Sequence, residues 1–267
     1  MSLVLVSPTD VAFNLFGLPI YCYGITMAIA ALSGFYVSYL IAKKYYKDVI
    51  DADVLFNLAS VLIIVGLVFA RLYYCLVNHA YYAENLNEIL NIRQGGLSIH
   101  GGILGGFISG VIYCKYLRLP ILKMADIVAY GLILAQAIGR WGNFFNFEAY
   151  GLPTNGFIKV FIPEANRIAG YEGFKYFHPT FLYESILNLL IFLILFFVVR
   201  KFRAKFDGLI FAYYLILYSI VRFYIEGLRL DNIVSIAHLH IAQVVSLIII
   251  VFASVFIVYK SFKTKSS

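Results

Sequence analysis

The sequence predicts an all-α polytopic membrane protein with seven transmembrane helices, an outside N-terminus and a cytoplasmic C-terminus. Of the 267 residues, 62% are apolar or aromatic and only 13% are charged, with a mean hydropathy of +0.87. Soluble globular chains are about half apolar and a quarter charged, so this composition excludes an ordinary soluble enzyme. The apolar residues also form seven separate stretches, and the basic residues are divided unevenly among the connections between them.

Each apolar stretch is close to the length of a spanning helix, which needs roughly 20 mostly apolar residues. The stretches cover residues 20–42, 54–77, 97–114, 124–139, 180–199, 208–226 and 239–259. They leave little chain for a soluble domain, so we expect one membrane-embedded domain over residues 1–267. The longest connection, about 140–179, is expected to be functional because loops of this length usually carry function, and residues 152–179 are its candidate lid.

Lysine and arginine indicate the orientation. Alternate connections, together with the C-terminal tail, hold thirteen basic residues, whereas the opposite connections hold six. Cytoplasmic loops carry an excess of Lys and Arg, so the richer set is predicted to be cytoplasmic. The net charge of +7 is therefore an orientation signal and predicts no nucleic-acid partner. The sequence has no Cys/His cluster at zinc spacing and no phosphate-binding loop, so no metal or cofactor is expected.

Several charged or polar residues lie inside the predicted spans or at their ends. A charge inside a span costs roughly 2.5 kcal/mol or more, so it normally faces a protein interior or a wet cavity. The set comprises Arg71, His100, Arg140, Tyr218, Arg222, Glu226 and Arg229, the last four on one face of the sixth span. All lie toward the predicted outer ends, which indicates a single site in the outer leaflet.

Simpler interpretations exist for several of these features. Arg222 and Glu226 have the spacing of an intrahelical ion pair. The glycines after His100 are typical of close helix packing in membranes, and Arg71 has the position of an interface anchor. These interpretations do not explain why arginines of three spans occur toward one side, where they repel unless an anion lies between them.

The densest polar segment follows the fourth span and runs from Gly139 to Gly151, with the sequence Gly-Arg-Trp-Gly-Asn-Phe-Phe-Asn-Phe-Glu-Ala-Tyr-Gly. Its glycines permit turns or close backbone approach. An arginine at its start can bind a phosphate through two parallel hydrogen bonds. The alternative interpretation is an interfacial turn within an aromatic belt.

This segment resembles the signature of the bacterial prolipoprotein diacylglyceryl transferases. Six flanking motifs occur in the same order, so that the resemblance covers essentially the whole chain. They are Tyr23-Gly24, Arg71, His100-Gly101-Gly102, Asp126, His178-Pro179-Thr180-x-Leu182-Tyr183-Glu184 and Arg222-x-x-x-Glu226-x-x-Arg229-x-Asp231.

The resemblance implies an enzyme of the bacterial inner membrane with its active site toward the outer leaflet. Such an enzyme transfers the diacylglyceryl group of phosphatidylglycerol to the lipobox cysteine in the signal peptide of a preprolipoprotein. The products are a thioether and glycerol 1-phosphate, in the first step of lipoprotein maturation. The substrates and the surrounding membrane lipids are the implied partners, and no cofactor is implied.

The polar residues of the spans and the motifs of the resemblance, fitted to the implied reaction, give the candidate site residues. The predicted catalytic residues are His100, Arg140 and Arg222, and the predicted substrate-binding residues are Tyr23, Arg71, Asn143, Asn146, Glu148, Gly151, Tyr218, Glu226 and Arg229. Arg140 and Arg222 are expected to hold the phosphate. His100 is either the general base for the thiol or a positioning residue, because clustered arginines also favour a thiolate.

Two other classes of function compete with a transferase. A transporter or anion channel also places arginines in spans, but such proteins commonly have repeated halves that meet at the bilayer midplane. An intramembrane peptidase needs paired aspartates, a Ser/Lys pair or a His-Glu-x-x-His span, and the sequence has none at suitable positions. Modification of a lipobox peptide in the presence of phosphatidylglycerol separates a transferase from both.

Overall fold

The computed structural model describes residues 2–91, 95–203, 205–230, 235–236 and 239–265, and these are mostly helical. The α-helices of this part of the chain are α1 (Cys22–Tyr45), α2 (Val54–Val77), α3 (His79–Glu84), α4 (Ile99–Tyr116), α5 (Ile121–Phe145), α6 (Thr180–Phe197), α7 (Leu209–Glu226) and α8 (Ile241–Lys265). All seven predicted apolar stretches coincide with long helices.

Within the described residues, six segments are long and apolar enough to cross a membrane. They are Cys22–Tyr45, Val54–Val77, Ile121–Phe145, Thr180–Phe202, Leu209–Glu226 and Ile241–Thr264. The chain is therefore a polytopic membrane protein. Helix α4 corresponds to the third predicted span but is not one of the six, so seven crossings and their orientation stay a prediction.

The expectation of an all-α chain is wrong for the connections. Short strands occur as β1 (Leu3–Leu5), β2 (Val11–Leu15), β3 (Leu18–Tyr21), β4 (Ile158–Phe161), β5 (Tyr176–Phe177), β6 (Ser235–Ile236) and β7 (Leu239–His240). They form one three-stranded sheet, β1-β4-β5 with β1 parallel to β4, and two hairpins, β2-β3 and β6-β7. Strands of two to five residues are too short to show a clear alternating pattern in the sequence.

The chain divides into two compact units. The first contains residues 1–37 and 125–267, and the second contains residues 38–124, so that the boundaries fall within α1 and α5. One catalytic domain over the whole chain stays a prediction.

Glycines of α4 allow it to pack closely on α2 in the second unit. A Cβ atom on Gly101 would lie 2.4 Å from the carbonyl oxygen of Phe69, and one on Gly105 would lie 2.5 Å from the Cβ of the same residue. Both distances are well inside van der Waals contact. The packing interpretation of the glycines after His100 therefore holds for these two positions.

A small hydrophobic core lies in the connection between α5 and α6 and includes the start of α6. Tyr150, Val160, Ile162, Phe177 and Phe181 are buried together in it. The Tyr150 hydroxyl donates to the carbonyl of residue 166 at 2.9 Å and accepts from the amide of residue 168 at 2.8 Å. Helix α5 continues to residue 145, so the first half of the signature is helical and the connection begins at residue 146. A lid function stays a prediction.

The side chain of Asp126 fixes the start of α7 in the first unit. It is 1% exposed, and its two oxygens accept hydrogen bonds from the amides of Gly208 and Phe211, each at 2.8 Å. Amides at the start of a helix have no partner within the helix, and an aspartate is among the best acceptors for them. Asp126 therefore has a structural use in addition to its place in a sequence motif.

We expect Asp126→Ala to destabilise the protein. The substitution leaves two buried amides without their acceptor, and a hydrogen bond to a charged group contributes about 1.5–3 kcal/mol. The expected loss is about 2–4 kcal/mol of unfolding free energy, measured as a melting temperature that is lower by about 5 °C or more in detergent. Asp48→Ala is the control, because Asp48 is exposed. An unchanged melting temperature for Asp126→Ala would contradict the capping role.

Candidate active site

Four charged side chains meet near the ends of α5, α6 and α7 in the first unit. The Oε1 atom of Glu184 lies 2.6 Å from Nη2 of Arg140, and its Oε2 lies 3.5 Å from Nη1 of Arg222. Nη2 of Arg222 pairs with Oε2 of Glu226, one turn further along α7. We call Arg140, Arg222, Glu184 and Glu226 the arginine cluster. It brings together two of the three predicted catalytic residues.

The two carboxylates of the arginine cluster are buried, whereas its two arginines are partly exposed. The side chain of Glu184 is 2% exposed, whereas those of Arg140 and Arg222 are 22% and 18% exposed. Charges in such surroundings interact more strongly than charges in water. The two arginines and the two carboxylates sum to no net charge, so the cluster is balanced without an external anion.

A chain of hydrogen bonds extends from the cluster into the signature. Arg140 Nη1 donates to Oδ1 of Asn143 at 3.2 Å, and Nδ2 of Asn143 donates to Oε1 of Glu148 at 2.8 Å. The Arg140 and Asn143 side chains lie on one face of α5 because they are three residues apart. Three predicted site residues thus form one connected group.

Two tyrosines lie beside this group. The hydroxyl of Tyr23 is within electrostatic reach of Glu148 and Arg140, and its ring packs on Gly142, where a Cβ atom would be 2.9 Å from Cδ2 of the ring. The hydroxyl of Tyr218 is within reach of Glu184 and of both arginines. The structure therefore places Tyr23 and Tyr218, both predicted to bind substrate, close to the charged side chains.

The backbone after α5 turns sharply to bring Glu148 back to Asn143. Phe147 and Ala149 have φ angles of 55° and 56°, in the left-handed region that non-glycine residues rarely adopt. The Glu148 amide donates to the Asn143 carbonyl at 3.1 Å, and that of Asn146 to the Gly142 carbonyl at 3.1 Å. Backbone strain of this kind clusters at functional sites.

Gly151 joins the signature to two other sequence motifs. Its amide donates to the carbonyl of His178 at 2.9 Å, and the next amide donates to that of Leu228 at 2.9 Å. Gly151 also forms an isolated antiparallel bridge with Arg229. The contacts of Gly151 are therefore with the backbone, and direct substrate contacts of Gly151, Arg229 and Asn146 stay predictions. Asp231 lies outside the described residues.

Arg71 belongs to the second unit, where its guanidinium binds main-chain carbonyls. It is 7% exposed and donates to five carbonyls, those of Glu88 (2.6 Å), Ile89 (2.7 Å), Asn91 (3.1 Å), Gly95 (3.0 Å) and Gly96 (2.9 Å). Its charge also lies 5.2 Å from the ring centre of Tyr82. Arg71 thus holds the connection before α4, and its predicted contact with substrate stays a prediction.

His100 also belongs to the second unit and is the second residue of α4. Its ring is exposed, and its centre lies 6.2 Å from that of Tyr73. A shallow surface groove at this place is lined by His100, Ile103, Leu104 and Phe107. The choice between general base and positioning residue stays open.

Sequence reasoning missed the role of Glu184. It occurs in a motif of the resemblance, but a charge near the end of a span also suits a simple helix terminus. The available signal is charge balance, because the two arginines of the fourth and sixth predicted spans need more than Glu226 to offset their charge. The described residues contain no group of three or more His, Cys, Asp or Glu side chains placed to hold a metal ion.

Comparison with known proteins gives one consistent result. The sequence model of a family described as prolipoprotein diacylglyceryl transferase matches residues 10–259. A protein of Clostridioides difficile (strain 630), named phosphatidylglycerol–prolipoprotein diacylglyceryl transferase, is 46% identical over 258 residues, covering 96% of this chain and 97% of its own length. Proteins of the same name from Clostridium novyi (strain NT) and Staphylococcus haemolyticus (strain JCSC1435) are 44% and 42% identical, covering 96% and 98% of this chain and 98% and 91% of their own.

Proposed function

The chain belongs to the prolipoprotein diacylglyceryl transferase family, and from this premise we propose that its arginine cluster binds the phosphate of phosphatidylglycerol. The chain is a transferase that moves the diacylglyceryl group of phosphatidylglycerol to the cysteine sulfur of a prolipoprotein. This is the first step of lipoprotein maturation. The proposal concerns where the lipid is held and which side chains promote its reaction.

One observation carries the proposal. Nη1 of Arg222 is buried, and no described residue supplies a hydrogen-bond acceptor for it, since the nearest carboxylate oxygen, of Glu184, lies at 3.5 Å. Buried donors in folded proteins are nearly always paired. A phosphate oxygen suits a guanidinium particularly well, because the resulting bonds are charge-assisted and directional. Phosphate binding would therefore complete the hydrogen bonding of Arg222.

The reaction needs positive charge at this place. The thiol sulfur forms a bond to a glycerol carbon, the carbon–oxygen bond to phosphate breaks, and the electron pair stays on the phosphate oxygen. Negative charge therefore grows on the leaving phosphate as the thiol loses its proton. Preorganised cations in a site of low dielectric stabilise such a change. We assign this role to Arg140 and Arg222, with Asn143 and Tyr218 as hydrogen-bonding neighbours.

The membrane arrangement is part of the proposal. Helix α4 has 18 residues and a length of about 27 Å, close to the roughly 30 Å of a hydrocarbon core, which supports a seventh crossing. The excess of basic residues on alternate connections supports an outside N-terminus and a cytoplasmic C-terminus. With this orientation the arginine cluster lies in the outer leaflet of the inner membrane, and the lipobox of the signal peptide meets it there.

Trp141, the single tryptophan of the chain, allows phosphate binding to be measured directly. It follows Arg140 in the chain, and its ring contacts Phe144 and Phe181 edge-on. We expect phosphatidylglycerol and glycerol 1-phosphate to change its fluorescence in detergent, and diacylglycerol, which lacks phosphate, to change it less. Arg222→Met should weaken binding of glycerol 1-phosphate by about tenfold or more. Equal affinity in the wild type and this variant would contradict phosphate binding at the cluster.

A further inference from the structure

Glu184 lies between the two arginines and contacts both. We propose that Glu184 is a positioning residue that holds Arg140 and Arg222 in their phosphate-binding arrangement and weakens retention of the product glycerol 1-phosphate. The inference rests on the proposed function of the arginine cluster and adds a residue that the sequence did not assign to the site.

Burial makes the charge of Glu184 costly. The side chain of Glu184 is 2% exposed, on a helix that is long and apolar enough to span a membrane. A charge in such a place is costly unless it is paired. Its two oxygens face different arginines on different helices, so its carboxylate links α5 to α7.

Glu184 also offsets the repulsion between the two arginines. Two guanidinium groups that share one carboxylate are close enough to repel each other in surroundings of low dielectric. Glu226 lies on the same helix as Arg222, and among the described residues its ion pair is with that arginine. Glu184 is therefore the carboxylate that opposes the repulsion and keeps both arginines at one place.

The two contacts of Glu184 are unequal. At 2.6 Å its Oε1 forms a short charge-assisted hydrogen bond with Arg140, whereas Oε2 at 3.5 Å attracts Arg222 without a hydrogen bond. Arg140 is thus fixed. Nη1 of Arg222 is oriented by Glu184, and its N–H group can still donate to a phosphate oxygen. A stronger second bond would compete with substrate.

Charge balance concerns the product. The phosphate of glycerol 1-phosphate carries more negative charge than the phosphodiester of the lipid. The carboxylates of Glu184 and Glu226 offset both arginines, so the cluster attracts this product less than two unbalanced cations would. Without the charge of Glu184, we expect the product to bind more tightly and to leave more slowly.

The test is Glu184→Gln. The amide keeps the shape of the side chain and an oxygen for Arg140, but it removes the negative charge. We expect kcat to fall by about tenfold or more, the KM for phosphatidylglycerol to stay equal or decrease, and the inhibition constant of glycerol 1-phosphate to decrease by about tenfold. A purely structural role would lower the melting temperature and the active fraction but would leave the inhibition constant unchanged.

Two further variants separate the possible outcomes. Glu164→Gln, at an exposed position, is the matched control and should behave as the wild type. Glu184→Asp keeps the charge but shortens the side chain. We therefore expect a lower kcat and an inhibition constant of glycerol 1-phosphate equal to that of the wild type. This variant also provides the test if Glu184→Gln does not fold, because full turnover in Glu184→Asp would overturn the positioning role.

The inference and the proposed function fail separately. If Arg222→Met weakens inhibition by glycerol 1-phosphate but Glu184→Gln leaves it unchanged, phosphate binds the cluster and the inference about Glu184 is wrong. If Arg222→Met leaves this inhibition unchanged, phosphate binding at the cluster is itself wrong.

Discussion

Arg222→Lys is expected to lower kcat/KM for diacylglyceryl transfer by about a hundredfold to a thousandfold. A lysine keeps the positive charge but not the planar fork. In the structure one arm of the fork pairs with Glu226, while the other faces Glu184 and has no acceptor among the described residues. The single ammonium group of a lysine cannot bond to Glu226 and to a phosphate oxygen in the two directions that the arms of the arginine fork take.

The measurement is transfer of the lipid group from phosphatidylglycerol to a lipobox peptide by purified enzyme in detergent, scaled to folded protein. Arg118→Lys is the control. Arg118 is exposed, and this variant makes the same chemical change outside the arginine cluster. If Arg222→Lys keeps more than about half of the wild-type rate, the directional hydrogen bonds of this arginine are not needed, and the mechanism above loses its main support.

Gly151→Ala is expected to abolish most activity and to destabilise the protein. A Cβ atom at this position would lie 2.7 Å from the carbonyl oxygen of Leu228, 2.9 Å from Cγ2 of Thr180 and 3.0 Å from Cβ of His178. The carbonyl of Leu228 cannot easily move, because it accepts a hydrogen bond from the residue after Gly151. Overpacking of this kind costs about 1–3 kcal/mol, and here it also displaces the end of the signature.

We expect a melting temperature lower by about 3 °C or more and a specific activity at least about tenfold lower. The control is Gly173→Ala, because a Cβ atom on Gly173 would meet nothing within 4 Å. Wild-type activity in Gly151→Ala would show that the junction of the three motifs tolerates movement and has no part in placing the site.

The spanning helices could be predicted because a run of about 20 apolar residues is a strong local signal. The β1-β4 pairing could not, because it joins Leu3–Leu5 to Ile158–Phe161, far apart in sequence. Arg140, Arg222 and Glu226 were predicted to belong to one site, and the structure places them together. The bridging carboxylate of Glu184 was missed, because which of several acids meets two arginines depends on helix packing rather than on spacing.

The use of Arg71 is a further feature that spacing does not reveal. A charged residue in a span is a candidate for ligand binding. The residue type alone does not show whether its partner is a lipid phosphate or a main-chain carbonyl oxygen. Among the described residues, its five hydrogen bonds are all to the main chain of the following connection.

This choice of partners has a consequence for sequence variation. Every amino acid supplies a carbonyl oxygen, so the partners of Arg71 remain present whatever side chains occupy Glu88, Ile89 and Asn91. Only the path of the backbone must be kept, including the positive φ angles of Gly95 (87°) and Gly96 (76°). The described part of the connection before α4 is thus free to change its side chains under mutation while keeping its backbone path, provided that the arginine and the two glycines stay.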